Sequence, residues 1–316
     1  MSKRSENVAA ETCVALGATD ARIELYRNRE LALGSLAIVR ALPVKDRRLV
    51  GPWCFLDRSG PLTFSDGKPM DVAPHPHIGL QTVTWLLEGE VAHDDSLGCE
   101  SVLRPGGVNV MTSGDGIAHA EQTPHENTGQ LNGVQLWVAL PDNRRHISAT
   151  FEHVPHVPVF DSGAGRVSVF AGTLLGQTAP AVYFSELVAA DLQVHPGRTL
   201  ELPLQPHFEH ALLLLAGDGM FDDQELEERV LYYVGSTRSA AHVTSRSGCR
   251  ILLVGGPPFP EQILMWWNFV ARTQDEIAQA RTDWEDRRRF GEVAAYKGPR
   301  LSAPSLIRFA RANPVS

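Results

Sequence analysis

The stretch Ala73-Pro74-His75-Pro76-His77-Ile78-Gly79 decides how this chain is read. In a strand, residues two apart point to one face, ~6.6 Å apart along the backbone. His75 and His77 then project together, and Pro74 and Pro76 point away. Proline lacks the N–H that a central strand must donate, so a strand with two prolines belongs at an edge or a rim. A barrel rim is open to small molecules. A second segment, Gly114-Asp115-Gly116-Ile117-Ala118-His119-Ala120-Glu121, repeats the spacing with His119 and Glu121. If the two strands face each other, three imidazoles and one carboxylate converge. That donor set suits one divalent first-row metal: Fe, Mn, Ni, Cu or Zn. On an octahedral ion, four protein ligands leave two positions for substrate, water or O2. A structural zinc site more often recruits Cys. None of Cys13, Cys54, Cys99 and Cys249 lies beside these residues.

Outward from this segment the pattern is β throughout. Between residues 33 and 270, short apolar runs are broken by Gly, Pro, Asp and Asn, as at 35–42, 81–87, 133–140, 181–187, 210–215 and 250–254. Val134-Gln135-Leu136-Trp137-Val138 alternates strictly. Turn signals about every ten residues mark an all-β sandwich or barrel. The length of 316 residues corresponds to about two domains. The expected division is a loose arm over 1–20, a barrel over 21–150, and a linker over 151–165 carrying Pro155, Pro158, Gly163 and Gly165. A second barrel over 166–265 and a helical tail over 266–316 follow. In that tail Thr273-Gln274-Asp275-Glu276 has the form of a capping box. Ile277, Ala280 and Trp284 fall on one helical face, Arg287-Arg288-Arg289 suits the helix C-terminus, and Gly291 is the expected stop.

Composition excludes several classes. A hydrophobic share of 43% with 21% charged residues is that of a folded chain, not a disordered one. No apolar run reaches the ~20 residues of a membrane span. With 29 Lys and Arg against 37 Asp and Glu, the net charge is -8, which disfavours nucleic-acid partners. The cysteines form no CxxC and read as isolated thiols in a reducing compartment. The opening residues lack a continuous apolar stretch of signal-peptide type, so a cytoplasmic location is expected.

The run from Pro74 through His75, Pro76, His77, Ile78, Gly79, Leu80, Gln81, Thr82, Val83, Thr84, Trp85, Leu86, Leu87 and Glu88 to Gly89 resembles the first metal-binding segment of the pirin family, a branch of the cupin superfamily. Segments at 93–98, 105–114, 116–121 and 133–138 resemble the family segments that follow. Gly255-Gly256-Pro257-Pro258, Asn268-Phe269-Val270 and Thr273-Gln274-Asp275-Glu276-Ile277 resemble its C-terminal region. The resemblance spans about residues 50–285 and is strongest over 73–138. It implies an all-β bicupin: two stacked β-barrels of the double-stranded β-helix or jelly-roll type, with a C-terminal helical tail. It also implies one metal in the N-terminal barrel, most often iron, held by His75, His77, His119 and Glu121.

The activity implied is O2-dependent cleavage of a flavonol such as quercetin, of the quercetin 2,3-dioxygenase type, with a small aromatic substrate. Glu121 is the carboxylate that could act as base. Other pirins are nuclear transcriptional co-regulators, so the alternative is a metal-binding, redox-sensing regulator that acts through a protein partner. A cupin isomerase is a third class. The chain departs from many relatives at Gln81, where they carry Glu, and at Asp115, where they carry Arg. The second barrel lacks a His-x-His and reads as metal-free, with His207, Glu209 and His210 as a surface cluster. His93 falls on a family position, which implies a supporting role beside the metal. Asp94 and Asp95 read as loop solvation, and Trp266-Trp267 as packing.

Overall fold

The computed structural model describes residues 7–8, 10–15, 22–33, 36–65 and 70–306. β-Branched and aromatic runs such as Leu80–Gly89 and Cys249–Gly256 supply side chains that pack on a pleated surface. These runs form two sets of antiparallel strands. In the first, Glu100–Leu103, Val91–Asp95, Ile117–Gln122 and Asp71–His77 make a four-stranded sheet in that spatial order. Opposite it lies a seven-stranded sheet with Leu80–Gly89, Gln130–Ala139 and Trp53–Thr63 at its centre. The second set repeats the plan. An eight-stranded sheet centred on Val188–Val194, Cys249–Gly256 and Glu209–Gly217 is paired with a four-stranded one. Asp71–His77 is an edge strand, as its two prolines require.

The two barrels meet through their larger sheets and share one apolar core. Trp53, Trp85 and Leu136 of the first lie in the same buried cluster as Phe170, Leu213 and Leu231 of the second. The Trp85 and Phe170 rings stack at 4.9 Å and 13°. The Trp85 indole N–H donates to Asp191 across the junction at 3.0 Å, and Arg250 neutralises that buried carboxylate at 2.5 Å. The Trp53 indole donates to the Gly255 carbonyl at 3.0 Å. The large aromatics thus fill the seam while their polar edges stay bonded, which buried Trp requires.

Several segments lie where sequence alone did not place them. Ile23–Arg27, expected in the first barrel, pairs with Val230–Val234 of the second. Glu11–Cys13, within the expected loose arm, pairs with Ile263–Trp266, and Cys13 is fully buried. The expected linker holds two strands: Thr150–Val154 extends the first barrel and Val159–Asp161 the second. In each case backbone N–H and C=O groups beside an open sheet edge find ladder partners there. One helix occurs among the described residues, Gln274–Glu285, and no described helix is long and apolar enough to cross a membrane. Thr273 caps it by accepting from the Glu276 N–H at 3.2 Å, and Ile277, Ala280 and Trp284 are its buried face. The helix ends at Glu285, before the arginine run. Arg289 instead pairs with Asp115 at 3.0 Å.

Candidate metal centre

Asp71–His77 and Ile117–Gln122 are hydrogen-bonded neighbours, with His75 opposite His119 and His77 opposite Ile117. The register shifts between His119 and Glu121, so Glu121 faces Val72. A bulge of this kind re-aims side chains at a barrel rim, and Pro74, with no N–H to donate, lies within it. All three imidazoles are buried, and one ring nitrogen from each lies within 4.8 Å of the others. Glu121 is buried too and lines the same cavity, but it is not part of that converging group.

The hydrogen bonds determine which ring nitrogens point inward. His75 Nδ1 donates to the Ala73 carbonyl at 3.0 Å, and His77 Nδ1 to the Asn268 carbonyl at 3.1 Å. Each therefore keeps a bare Nε2. His119 Nδ1 meets His93 Nδ1 at 3.3 Å, and His93 Nε2 meets Asp95 Oδ2 at 3.1 Å. The other Asp95 oxygen accepts from the Leu97 and Cys99 amides at 2.9 and 3.0 Å. Burial opposes the charge on Asp95, but His93 and these amides outweigh it and hold its pKa below the ordinary value. His93 Nε2–H donates to the Asp95 carboxylate, so His93 Nδ1 accepts from His119 Nδ1. His119 Nε2 is then bare as well.

His77 Nε2 and His119 Nε2 stand 3.1 Å apart. Two bare lone pairs at that distance repel unless a cation draws on both. It is also roughly the 3 Å separation of adjacent nitrogens each ~2.1 Å from one ion. Burial pushes the His75 pKa down to about 4. Burial, and then the neighbouring imidazoles, push His77 and His119 well below their ordinary value. The rings are therefore neutral, the form that binds metal. Burial raises the Glu121 pKa, with His93 opposing. Three neutral imidazoles beside a buried carboxylate fit a divalent first-row ion.

The cavity in front of this cluster has an apolar wall of Leu36, Ile38, Phe55, Met70, Val72 and Trp137. Trp137 stacks on Phe55 at 4.1 Å and 14° and sets its ring edge-on to His77 at 5.3 Å. Asp57 is tied to Arg40 by two bonds of 2.7 and 2.6 Å. Asn268, whose part in the site the sequence did not signal, also lines the cavity.

Other expectations change in detail. Asp95, read as loop solvation, ends the strand Val91–Asp95 and is buried. Gln81 lies away from the metal-centre cavity. It donates to Thr112 and to the Val182 carbonyl, both at 3.0 Å, and so ties the first barrel to a loop of the second. Asp115 is exposed, holding His146 and Arg289. Trp266 and Trp267 pack with Phe269, Trp284 and Phe290. His207 is exposed, but Glu209 and His210 are buried, contrary to a surface cluster. They open the strand Glu209–Gly217 in the sheet that faces the first barrel, where Glu209 accepts from the Gly51 N–H and from the Tyr233 hydroxyl.

The fold and this site define a class: a two-barrel cupin with a histidine centre in its N-terminal barrel. Residues 36–138 match the family described as Pirin, and residues 189–291 match the Pirin C-terminal cupin domain. A Pseudomonas aeruginosa protein named as a candidate quercetin 2,3-dioxygenase is 44% identical over 275 residues, covering 86% of this chain and 87% of that protein. A pirin-like protein of Caulobacter vibrioides is 36% identical over 269 residues, covering 83% and 92%. The crystal structure of a quercetin 2,3-dioxygenase from Acinetobacter baumannii superposes with a TM-score of 0.88 at 42% identity, covering 92% of this chain and 97% of that one. The chain belongs to the pirin family.

Proposed function

We propose that this pirin cleaves a flavonol such as quercetin with O2, as a quercetin 2,3-dioxygenase, around iron held by His75, His77, His119 and Glu121. The observation that carries the reading is the meeting of three bare Nε2 atoms at the foot of an apolar, aromatic-walled cavity. The names of the relatives agree with it. When bound, the metal supplies Lewis acidity and an electron path between an ionised flavonol and O2. The protein's own groups do the rest. Phe55 and Trp137, stacked on each other with Arg40 also over the Phe55 ring, form an aromatic wall, and the apolar lining excludes water. Glu121, when detached from the metal, takes the proton of the substrate hydroxyl. We place the protein in the cytoplasm, since all four cysteines are free.

The test pairs elemental analysis with an oxygen electrode. The protein is loaded separately with Fe(II), Mn(II), Ni(II) and Cu(II), and quercetin is added. At least one form is expected to hold stoichiometric metal and consume O2. His119→Ala is expected to lose both, with activity down at least ~100-fold, because an outward partner such as His93 cannot replace a ligand. Full metal without O2 uptake in every form would end the catalytic reading. Full metal in His119→Ala would end the site assignment.

A further inference from the structure

One group in the cavity is left over by every role described above. Asn268 is 1% exposed and sits between the strands Ile263–Trp266 and Phe269–Ala271. Its backbone carbonyl holds His77 Nδ1 at 3.1 Å, so the residue is anchored beside the metal centre. The residue lines the cavity, and both Oδ1 and Nδ2 of its side chain are buried with no hydrogen-bond partner among the described residues. Leaving such groups unpaired costs roughly 1–3 kcal/mol each, and folded proteins rarely keep them without a reason. The preceding residue adds to the cost. Trp267 has φ of 52°, a left-handed conformation unfavourable for a bulky side chain. Neighbouring polar groups of the cavity are engaged: Asp57 by Arg40, and the Gln135 carbonyl oxygen by Thr84 at 2.9 Å.

We infer that the Asn268 carboxamide is a substrate-recognition group that selects an aromatic carrying a hydroxyl and a keto oxygen on adjacent carbons. Asparagine offers one acceptor and one donor side by side. Oδ1 accepts from the hydroxyl while Nδ2 donates to the keto oxygen. The 3-hydroxy-4-keto edge of a flavonol is such a pair, and a flavone without the 3-hydroxyl is not. Placement beside His77 directs that edge, rather than the far ring, toward the imidazole cluster. The inference rests on the flavonol reading above. It assigns substrate orientation to a side chain that binds no metal.

The test uses the metal-loaded full chain without O2, so that binding is read without turnover. Tryptophan fluorescence gives the Kd for quercetin and for luteolin, the same skeleton lacking the 3-hydroxyl, with wild type, Asn268→Ala and Asn268→Leu. Quercetin binding is expected to weaken at least tenfold in both variants. Luteolin binding should change less than threefold, and metal content should be unchanged. Asn268→Leu should unfold at no lower temperature than wild type, because it removes two unpaired polar atoms; a purely structural asparagine would show the opposite. Unchanged quercetin affinity in the variants would overturn the inference and leave the dioxygenase reading standing. Metal loss in parallel with quercetin loss would also overturn it, assigning Asn268 to the support of His77. Absence of quercetin binding by wild type would overturn both readings.

Discussion

At the scale of single residues, the three imidazoles depend on which nitrogen carries the proton. For His119 that choice is made by Asp95 acting through His93. Asp95→Asn tests it with almost no change in shape. An asparagine oxygen can keep the Leu97 and Cys99 amides, which turns its NH2 toward His93 Nε2. His93 would then carry its proton on Nδ1, force the opposite tautomer on His119, and put a proton where the metal binds. Metal affinity is expected to fall about 10- to 100-fold, read by competition with a chelator. Unchanged affinity would remove the relay from the account. The donor types and their spacing were legible in the sequence. The relay was not, because it needs Val91–Asp95 to lie beside Ile117–Gln122, a pairing between strands distant in sequence.

At the scale of elements, the histidine strand Asp71–His77 is held at its end by Gly79. Its φ is +69°, and a Cβ there would come within 2.0 Å of the Val270 carbonyl oxygen. Around it, Val270 N donates to Ile78 O and Leu140 N to Gly79 O, both at 3.0 Å. One glycine thus joins the histidine strand, the wall strand Gln130–Ala139 and the strand that follows Asn268. Gly79→Ala is expected to cost more than the ~1–2 kcal/mol of left-handed backbone alone, and to weaken metal binding with it. Urea unfolding and a metal titration measure the two effects. A loss under about 0.5 kcal/mol would mean that the contact with Val270 gives way easily. The outer edge of the histidine strand is covered by the tail, where Leu301 N donates to Pro74 O at 2.9 Å. The capped helix was readable from Thr273 and Glu276, since capping is local chemistry. The destinations of Glu11–Cys13 and Ile23–Arg27 were not, since short strands carry no mark of their partner.

At the scale of the whole molecule, packing two barrels also buries ionisable groups. His210 is one of them. It is 2% exposed, its Nδ1 has no partner among the described residues, and burial, with His207 adding to it, pushes its pKa down to about 4. The ordinary value is 6.5, so the unfolded chain takes up this proton first as pH falls. Stability from this group is therefore complete above about pH 6.5 and is lost down to about pH 4, on the order of 3 kcal/mol in all. Urea unfolding at pH 7.5 and 4.5 should show the difference between the two pH values shrinking by roughly 2–3 kcal/mol in His210→Phe. Equal differences in wild type and variant would show that His210 is not the group responsible. The metal-site histidines titrate in both proteins and cancel in the comparison.

By itself the sequence determined the residue types and their periodicity. Alternation of period two set the strands, two prolines sent Asp71–His77 to an edge, and two dyads spaced by two put His75 with His77 and His119 with Glu121. These follow from local geometry, which a strand imposes wherever it ends up. Tertiary structure alone decided what depends on distant partners. It placed one ring nitrogen of each histidine within 4.8 Å of the others and left Glu121 beside that group. It buried Glu209 at the barrel junction and His210 on the opposite face of the same strand, beside Phe208, and it brought Asn268 to His77 across 191 residues of chain. Such contacts arise when sheets close and barrels pack, and no spacing along the chain encodes which surfaces will meet.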